Sequence, residues 1–242
     1  MGSSFTLADT PTLDDLQVFL ARAARIEEGT VRLIAGSGVL AVYAAVFYPQ
    51  GLLDESPTVL GLRTVALSAG DSATAELSDG PNRGHDEFDV VVPIRSLLGR
   101  LEMAQEARQA DPTITGPITI SLPMGVNTVT WSAISPPRGG WRPIDGTSAD
   151  ILDRAARSGI DEVATAVPDA VGEQIVRRVR SEVWSRGIAG LEHVPAGAAF
   201  AALGLGFLGD DEVRMFETGP WTRLTTQRGH VLVKRKAWTL AR

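Results

Sequence analysis

Cysteine is missing from all 242 residues, which excludes disulfides, thiolate metal sites and cysteine nucleophiles and is compatible with a reducing cytoplasm. Lysine is nearly missing too: only Lys234 and Lys236 stand among the 23 basic residues. Together with abundant alanine this points to a GC-rich coding sequence, so arginine marks function less sharply than usual. No glycine-lysine step exists, which removes a P-loop, and no G-x-S-x-G nucleophile elbow is present. The formal net charge of −6 argues against a dedicated nucleic-acid binder while leaving room for a local basic face. The N-terminus lacks the charged-then-apolar order of a signal peptide. One run, Leu33 to Leu53, carries no charge and is long enough to span a bilayer. Gly36-Ser37-Gly38 and Pro49-Gln50-Gly51 interrupt it, so it reads as two buried strands joined by a turn. A membrane partner is therefore not expected.

What is present divides the chain in two. Residues 1–150 carry 10 basic and 18 acidic groups, whereas residues 151–242 carry 13 and 11. Near the change lies SPPRGGWRPIDG (Ser135–Gly146), whose prolines and glycines read as a linker. Two domains are expected, over 1–146 and 147–242. The first opens with a helix capped by Thr12, with Asp15 at its third position and Leu13, Leu16, Leu20 and Ala23 on one face. The segments TVRLIA, GVLAVYAAVF, TVLGLRTVAL, ATAELS and FDVVV read as strands separated by turn residues. Pro93 starts a second helix with Ile94, Leu97, Leu98 and Leu101 on its stripe, ending before Asp111. PITISLP and NTVTWSAIS are two further strands. Short connections favour antiparallel pairing, so this half is an α+β domain with two helices on a mostly antiparallel sheet.

The order helix, strands, helix, strands, with FDVVVPIRSLLGRL (Phe88–Leu101) leading to PITISLP and the segment around Trp131, resembles one domain of the bacterial DNA sliding clamp. The resemblance covers about half the chain, and the repeat of the domain found in clamps is missing here. It implies helices lined with cations facing DNA, for which Arg22, Arg25, Arg95, Arg100 and Arg108 are available, interrupted by Glu27, Glu28, Glu102 and Glu106.

The second half begins with a helix near Ser148, turning Ile151, Leu152 and Ala155 inward, with Gly159 as its stop. A helix over about 169–186 buries Ile175, Val179 and Val183, and Pro195 opens an alanine-rich third helix. EVRMFET, WTRLTT and HVLVKRK are strands, so the domain is expected to be small, helical and winged-helix-like, ending in a β-hairpin. GPWTRLTTQRGHVLVKR is similar to the ending of a group of uncharacterised conserved actinobacterial proteins, a resemblance that implies no activity.

Gly204, Gly206 and Gly209 spell the G-x-G-x-x-G of a dinucleotide loop. Such a loop must follow a strand and open a helix, whereas here an alanine-rich helix precedes and a strand follows. No acid lies at positions 222–230 to take a ribose, so the glycines are read as a helix exit and no cofactor is expected. GHDEFD gathers His85, Asp86, Glu87 and Asp89, but His193 and His230 lie in unrelated contexts. A solvated acidic loop is the plainer reading than a metal site, and an enzyme using His85 on a small anion is the least supported class.

Three groups are candidates for partner binding. Arg138, Trp141 and Arg142 sit in the proline-glycine stretch, where Trp141 either grips a partner or folds back on the N-terminal core. Arg177, Arg178 and Arg180 line one helix, and Lys234, Arg235 and Lys236 cluster near the end beside Trp238. The helix PAGAAFAALGLGFL has no polar side chain to read base edges, so sequence-specific DNA reading is not expected. The expectation is a cytoplasmic binding or regulatory protein without a catalytic constellation. The alternative is a nucleic-acid-associated accessory protein using the clamp-like domain and the basic C-terminal face.

Overall fold

The computed structural model describes residues 3–51, 54–68, 87–111, 113, 115–127, 129–167 and 172–235. Its chain forms two compact units. The first takes Met1–Ala44 and Arg63–Ser132, the second Ala45–Leu62 and Ala133–Arg242.

In the first unit β1 (Ser4–Leu7) leads to α1 (Thr10–Ile26), followed by β2 (Thr30–Gly36). The helix starts earlier than Thr12. Asp9 is the N-cap, its carboxylate accepting from Thr12 N at 2.9 Å and Thr12 Oγ1 at 2.6 Å. A carboxylate at N-cap satisfies free amides and faces the positive end of the dipole. Asp15 is thereby released from capping and grips Arg63 through two bonds of 2.7 Å. Leu13, Leu16, Phe19, Leu20 and Ala23 form the buried stripe of α1.

Strand β3 (Val39–Phe47) follows β2 through a two-residue turn, Ser37 (φ 54°) and Gly38 (φ 76°). Two successive positive φ values suit the twist of a tight hairpin. That turn divides the uncharged run as expected, and among the described residues no helix is long and apolar enough to cross a membrane. Strand β4 (Thr58–Ala66) contributes to both units, as β3 does. Strand β5 (Phe88–Pro93) pairs antiparallel with β2, and α2 (Ile94–Ala110) buries Ile94, Leu97 and Leu101. β6 (Ile118–Ser121) pairs with β1. The expected strand NTVTWSAIS is instead a 3-10 turn at Thr130–Ala133 that buries Trp131. ATAELS lies outside the described residues.

The second unit is built on an antiparallel sheet in the order β4, β12, β11, β10, β7. Here β7 is Arg142–Thr147, and β10 (Val213–Thr218), β11 (Trp221–Thr226) and β12 (Gly229–Lys234) are the C-terminal strands. Part of the expected linker is thus an edge strand, with Pro143 placed where an edge tolerates a missing N–H. The winged-helix expectation fails on pairing. β12 pairs with Thr58–Leu62 and β10 with β7, so the last three strands are inner members of a sheet and not a free hairpin.

Three helices serve this sheet: α3 (Ala149–Ala166), α4 (Glu173–Ser185) and α5 (Ala196–Gly204), with the short pair β8 (Gly187–Ile188) and β9 (Leu191–Pro195) between the last two. Gly159 does not stop α3, which runs on to Ala166. It is a notch: a Cβ there would lie 2.4 Å from Trp184 Cζ3. Ile175 is not in the buried stripe of α4 either. It is 52% exposed, and Val183 and Trp184 carry the burial. The helix-exit reading of the glycines matches the geometry. Gly206 (φ 72°) donates to Leu203 O at 2.9 Å and Phe207 to Ala202 O at 2.8 Å, a Schellman end to α5.

Asp54 ties a loop of this unit, accepting from Gln50 N and Ser56 N at 2.9 Å each. Burial pushes its carboxyl up, but hydrogen bonds from Ser56 and Gln50 outweigh this and hold it below the ordinary 3.8. A lowered folded value means the stabilisation is complete above 3.8 and lost as pH falls below it through the folded value. Asp54→Asn is therefore expected to flatten the fall of the urea midpoint between pH 5 and about pH 2. An unchanged pH profile would contradict this role.

Candidate functional site

The sheet of the second unit has two unlike faces, and register assigns each side chain to one of them. Gly61 and Gly229 mark the helix side, because a Cβ at either would collide with Leu205 or Phe207. Val213, Met215, Leu224, Val231 and Val233 share that side by alternation and are buried.

The other face is chemically different. Pairing places Thr218, Trp221 and Lys234 in one cross-strand row of β10, β11 and β12. Phe216, Arg223 and Leu232 form the next row, and Arg214, Thr225 and His230 the third. No carboxylate occupies this face in these three strands, since Glu217 falls on the opposite side with its partner Arg142, 2.7 Å away.

Arg223 is the centre of the arrangement. Its guanidinium carbon lies 4.5 Å from the ring centre of Phe216 and 4.7 Å from that of Trp141. Trp141 is itself fixed, its indole N–H donating to Pro137 O at 3.0 Å. Two aromatic faces hold the cation in place, each interaction worth about 0.5–2 kcal/mol depending on exposure. No ion pair or hydrogen bond from the Arg223 side chain exists among the described residues, and its Nε is buried without a partner. Burial first, and then the like charge of Arg214, hold Arg223 below the ordinary arginine value. The guanidinium keeps its proton at any physiological pH, so the penalty persists as unbalanced positive potential. An anion placed at its free N–H groups would offset that potential.

Residues 1–119 match the model of a domain of unknown function (DUF8010), and residues 136–238 match that of a second domain of unknown function (DUF8185). No curated protein matches the chain in sequence. Among solved structures it is similar to the DNA polymerase III subunit beta from Pseudomonas aeruginosa, with TM-score 0.48 and 13% identity over 98% of this chain and 66% of that chain. It is also similar to the DNA polymerase sliding clamp from Caulobacter crescentus, with TM-score 0.47 and 10% identity over 98% of this chain and 67% of that one. The Helicobacter pylori beta clamp bound to a DNA ligase peptide gives TM-score 0.45 and 8% identity, over 99% of this chain and 68% of that chain. The chain therefore spans about two thirds of the length of these clamps. At such scores the likeness says nothing of activity.

The residues singled out from sequence are distributed over several surfaces. Trp141 belongs to the second unit, where it packs on Arg223. Arg138 is exposed, and Arg142 is paired with Glu217 on the helix side. On α4, Arg177 pairs with Glu173, Arg178 is exposed and Arg180 is half-buried. Lys234 lies on the same sheet face as Arg223, while Arg235 follows β12 with its Nε buried and unpartnered among the described residues. Lys236 and Trp238 lie outside the described residues, as do His85 and Asp86. Asp89, from the same acidic segment, is bound to Arg32 through bonds of 2.7 and 2.6 Å, and Arg32 also donates to Ser132 O. Among the described residues no group of three His, Asp or Glu could hold a metal.

Within the first unit the arginines of α2 are engaged locally. Arg95 pairs with Glu28, Arg100 donates to Ser121 Oγ, and Arg108 donates to Thr10 Oγ1 and Gly116 O. Arg214 and Arg223 were missed by sequence reading. Their only signal was alternation, Arg214-x-Phe216 and Trp221-x-Arg223, which becomes meaningful once the two strands are paired in register.

Proposed function

We propose that this chain is a binding protein that engages an anionic partner through the Arg223 face of its second unit. The observation that carries this reading is the Arg223 guanidinium, held between Trp141 and Phe216 beside Arg214 with no carboxylate partner among the described residues. A structural arginine of this burial ordinarily finds an acid; one clamped by two rings and left unpaired is arranged for an external one. A cytoplasmic setting belongs to this reading, and the lack of cysteine accords with it.

Sodium polyphosphate serves as a generic polyanion to test it. In low salt it is expected to raise the Tm of the full chain in a concentration-dependent manner, as any ligand of the folded state does. Arg223→Leu, which keeps the apolar contacts of the stem, is expected to abolish the rise. A Tm unmoved by polyphosphate, or raised equally in Arg223→Leu, would refute the reading.

A further inference from the structure

We propose that the anion taken at Arg223 is a phosphate monoester, its doubly charged head gripped between Arg223 and Arg214. This rests on the anionic-partner reading above and narrows it to one chemical class. The face is not open throughout: Trp221, Thr225 and Leu232 are buried, which closes it along β11 and β12. Its margin over β10 and β7 is accessible. Arg214 is exposed, and Phe216, Thr218, Trp141 and Arg223 itself are part-exposed. Ground of that extent suits a compact head and not an extended chain.

Register sets the spacing of the two cations. Arg214 faces Thr225, and Arg223 stands two residues before Thr225 on β11, so the arginines are diagonal neighbours on one face. Such neighbours lie roughly 7–8 Å apart at the backbone, close enough for two long side chains to converge on one group. Neither has an ion-pair partner among the described residues. Asp145, exposed in the β7 bulge opposite Arg214, makes no ion pair with it. Two adjacent unpaired cations repel, and Arg214 already disfavours the charge on Arg223. A carboxylate, a sulfate monoester or a phosphodiester brings one negative charge and leaves one cation unbalanced. A phosphate monoester brings about −1.5 to −2 at pH 7 and three terminal oxygens, enough to accept from both guanidinium forks. Trp141 and Phe216 flank Arg223 at 4.7 and 4.5 Å and keep water from its sides, which strengthens hydrogen bonds made there.

The test compares phenyl phosphate with phenyl sulfate, which share shape and differ by a charge. The Tm of the full chain is followed against the concentration of each at pH 7.5 in low salt, and the affinity is read from the rise. Phenyl phosphate is expected to bind at least tenfold more tightly than phenyl sulfate. Arg214→Ala should weaken phenyl phosphate about tenfold and phenyl sulfate less than threefold, so that the two probes become nearly equal. Arg214 is exposed, so its variant leaves the core intact, and a parent-like Tm without ligand checks this. Equal affinities for the two probes in the parent chain would overturn the phosphate-monoester proposal. So would an Arg214→Ala variant that keeps the preference for phenyl phosphate. If polyphosphate still raises the Tm in either case, the anionic-partner reading stands without this narrowing. If neither polyphosphate nor phenyl phosphate moves the Tm, both readings fall together.

Discussion

Trp184→Ala is expected to destabilise the second unit by about 3–5 kcal/mol, the range for truncating a buried aromatic side chain. Trp184 is 3% exposed and stacks on Phe200 with ring centres 4.5 Å apart. Its six-membered ring fills the space left by the missing side chain of Gly159, and its backbone carbonyl lies against Gly197. One side chain thus joins α3, α4 and α5. Relaxation would recover little, because the opposing surface is helix backbone. Gly159→Val supplies an internal check. In the parent chain it overpacks the notch and costs about 1–3 kcal/mol; in a Trp184→Ala background the same valine occupies vacated space. Urea unfolding followed by circular dichroism should therefore show strong non-additivity. Losses that simply add, or a Trp184→Ala cost below about 1 kcal/mol, would contradict this packing.

Arg223→Glu is expected to weaken binding of a polyanion by more than about 100-fold. A charge-assisted hydrogen bond contributes about 1.5–3 kcal/mol, and each 1.4 kcal/mol is tenfold in affinity. The substitution removes that contact and sets a negative charge against the ligand. Arg223→Lys separates charge from shape. It keeps the cation but loses the planar fork and the stacking between Trp141 and Phe216, so affinity should fall about tenfold. Equal affinities for the parent chain and Arg223→Glu would show that the anion binds elsewhere.

Much of the secondary structure was legible because it follows from local rules. The apolar periodicity of α1 and α2 marked Leu13, Leu16, Leu97 and Leu101 as core, and all four are fully buried. The glycines after α5 could be judged from their neighbours alone, and Gly206 caps the helix. Errors arose where tertiary contact overrode local preference. Gly159 looked like a helix stop because glycine lowers helix propensity, yet it is there to admit Trp184. Ile175 looked like core because a helical stripe predicts it, but the burial of α4 shifts to Val183 and Trp184. WRPIDG looked like linker, and only pairing with β10 makes it a strand.

The candidate site was less legible for a further reason. Arg142 and Trp141 are neighbours in sequence and fall on opposite faces, whereas Arg214, Arg223 and Lys234 are distant in sequence and fall on one diagonal. Counting cations along the chain finds the first pair and misses the second group. Register is the missing quantity, since a slip of one residue would move every side chain to the other face. Composition likewise gave no hint that Ala45–Leu62 belongs with the C-terminal half, because that membership rests on β4 pairing with β12.

Direct contact between Arg223 and the anion is tested by the arginine's own side-chain NMR signal. The Nε–H is buried and has no partner among the described residues, so it should give a resolved, slowly exchanging resonance. Titration of the full chain with sodium polyphosphate is expected to shift that resonance saturably, over the concentrations that raise the Tm. A resonance that stays in place while polyphosphate raises the Tm would show that the anion binds away from Arg223.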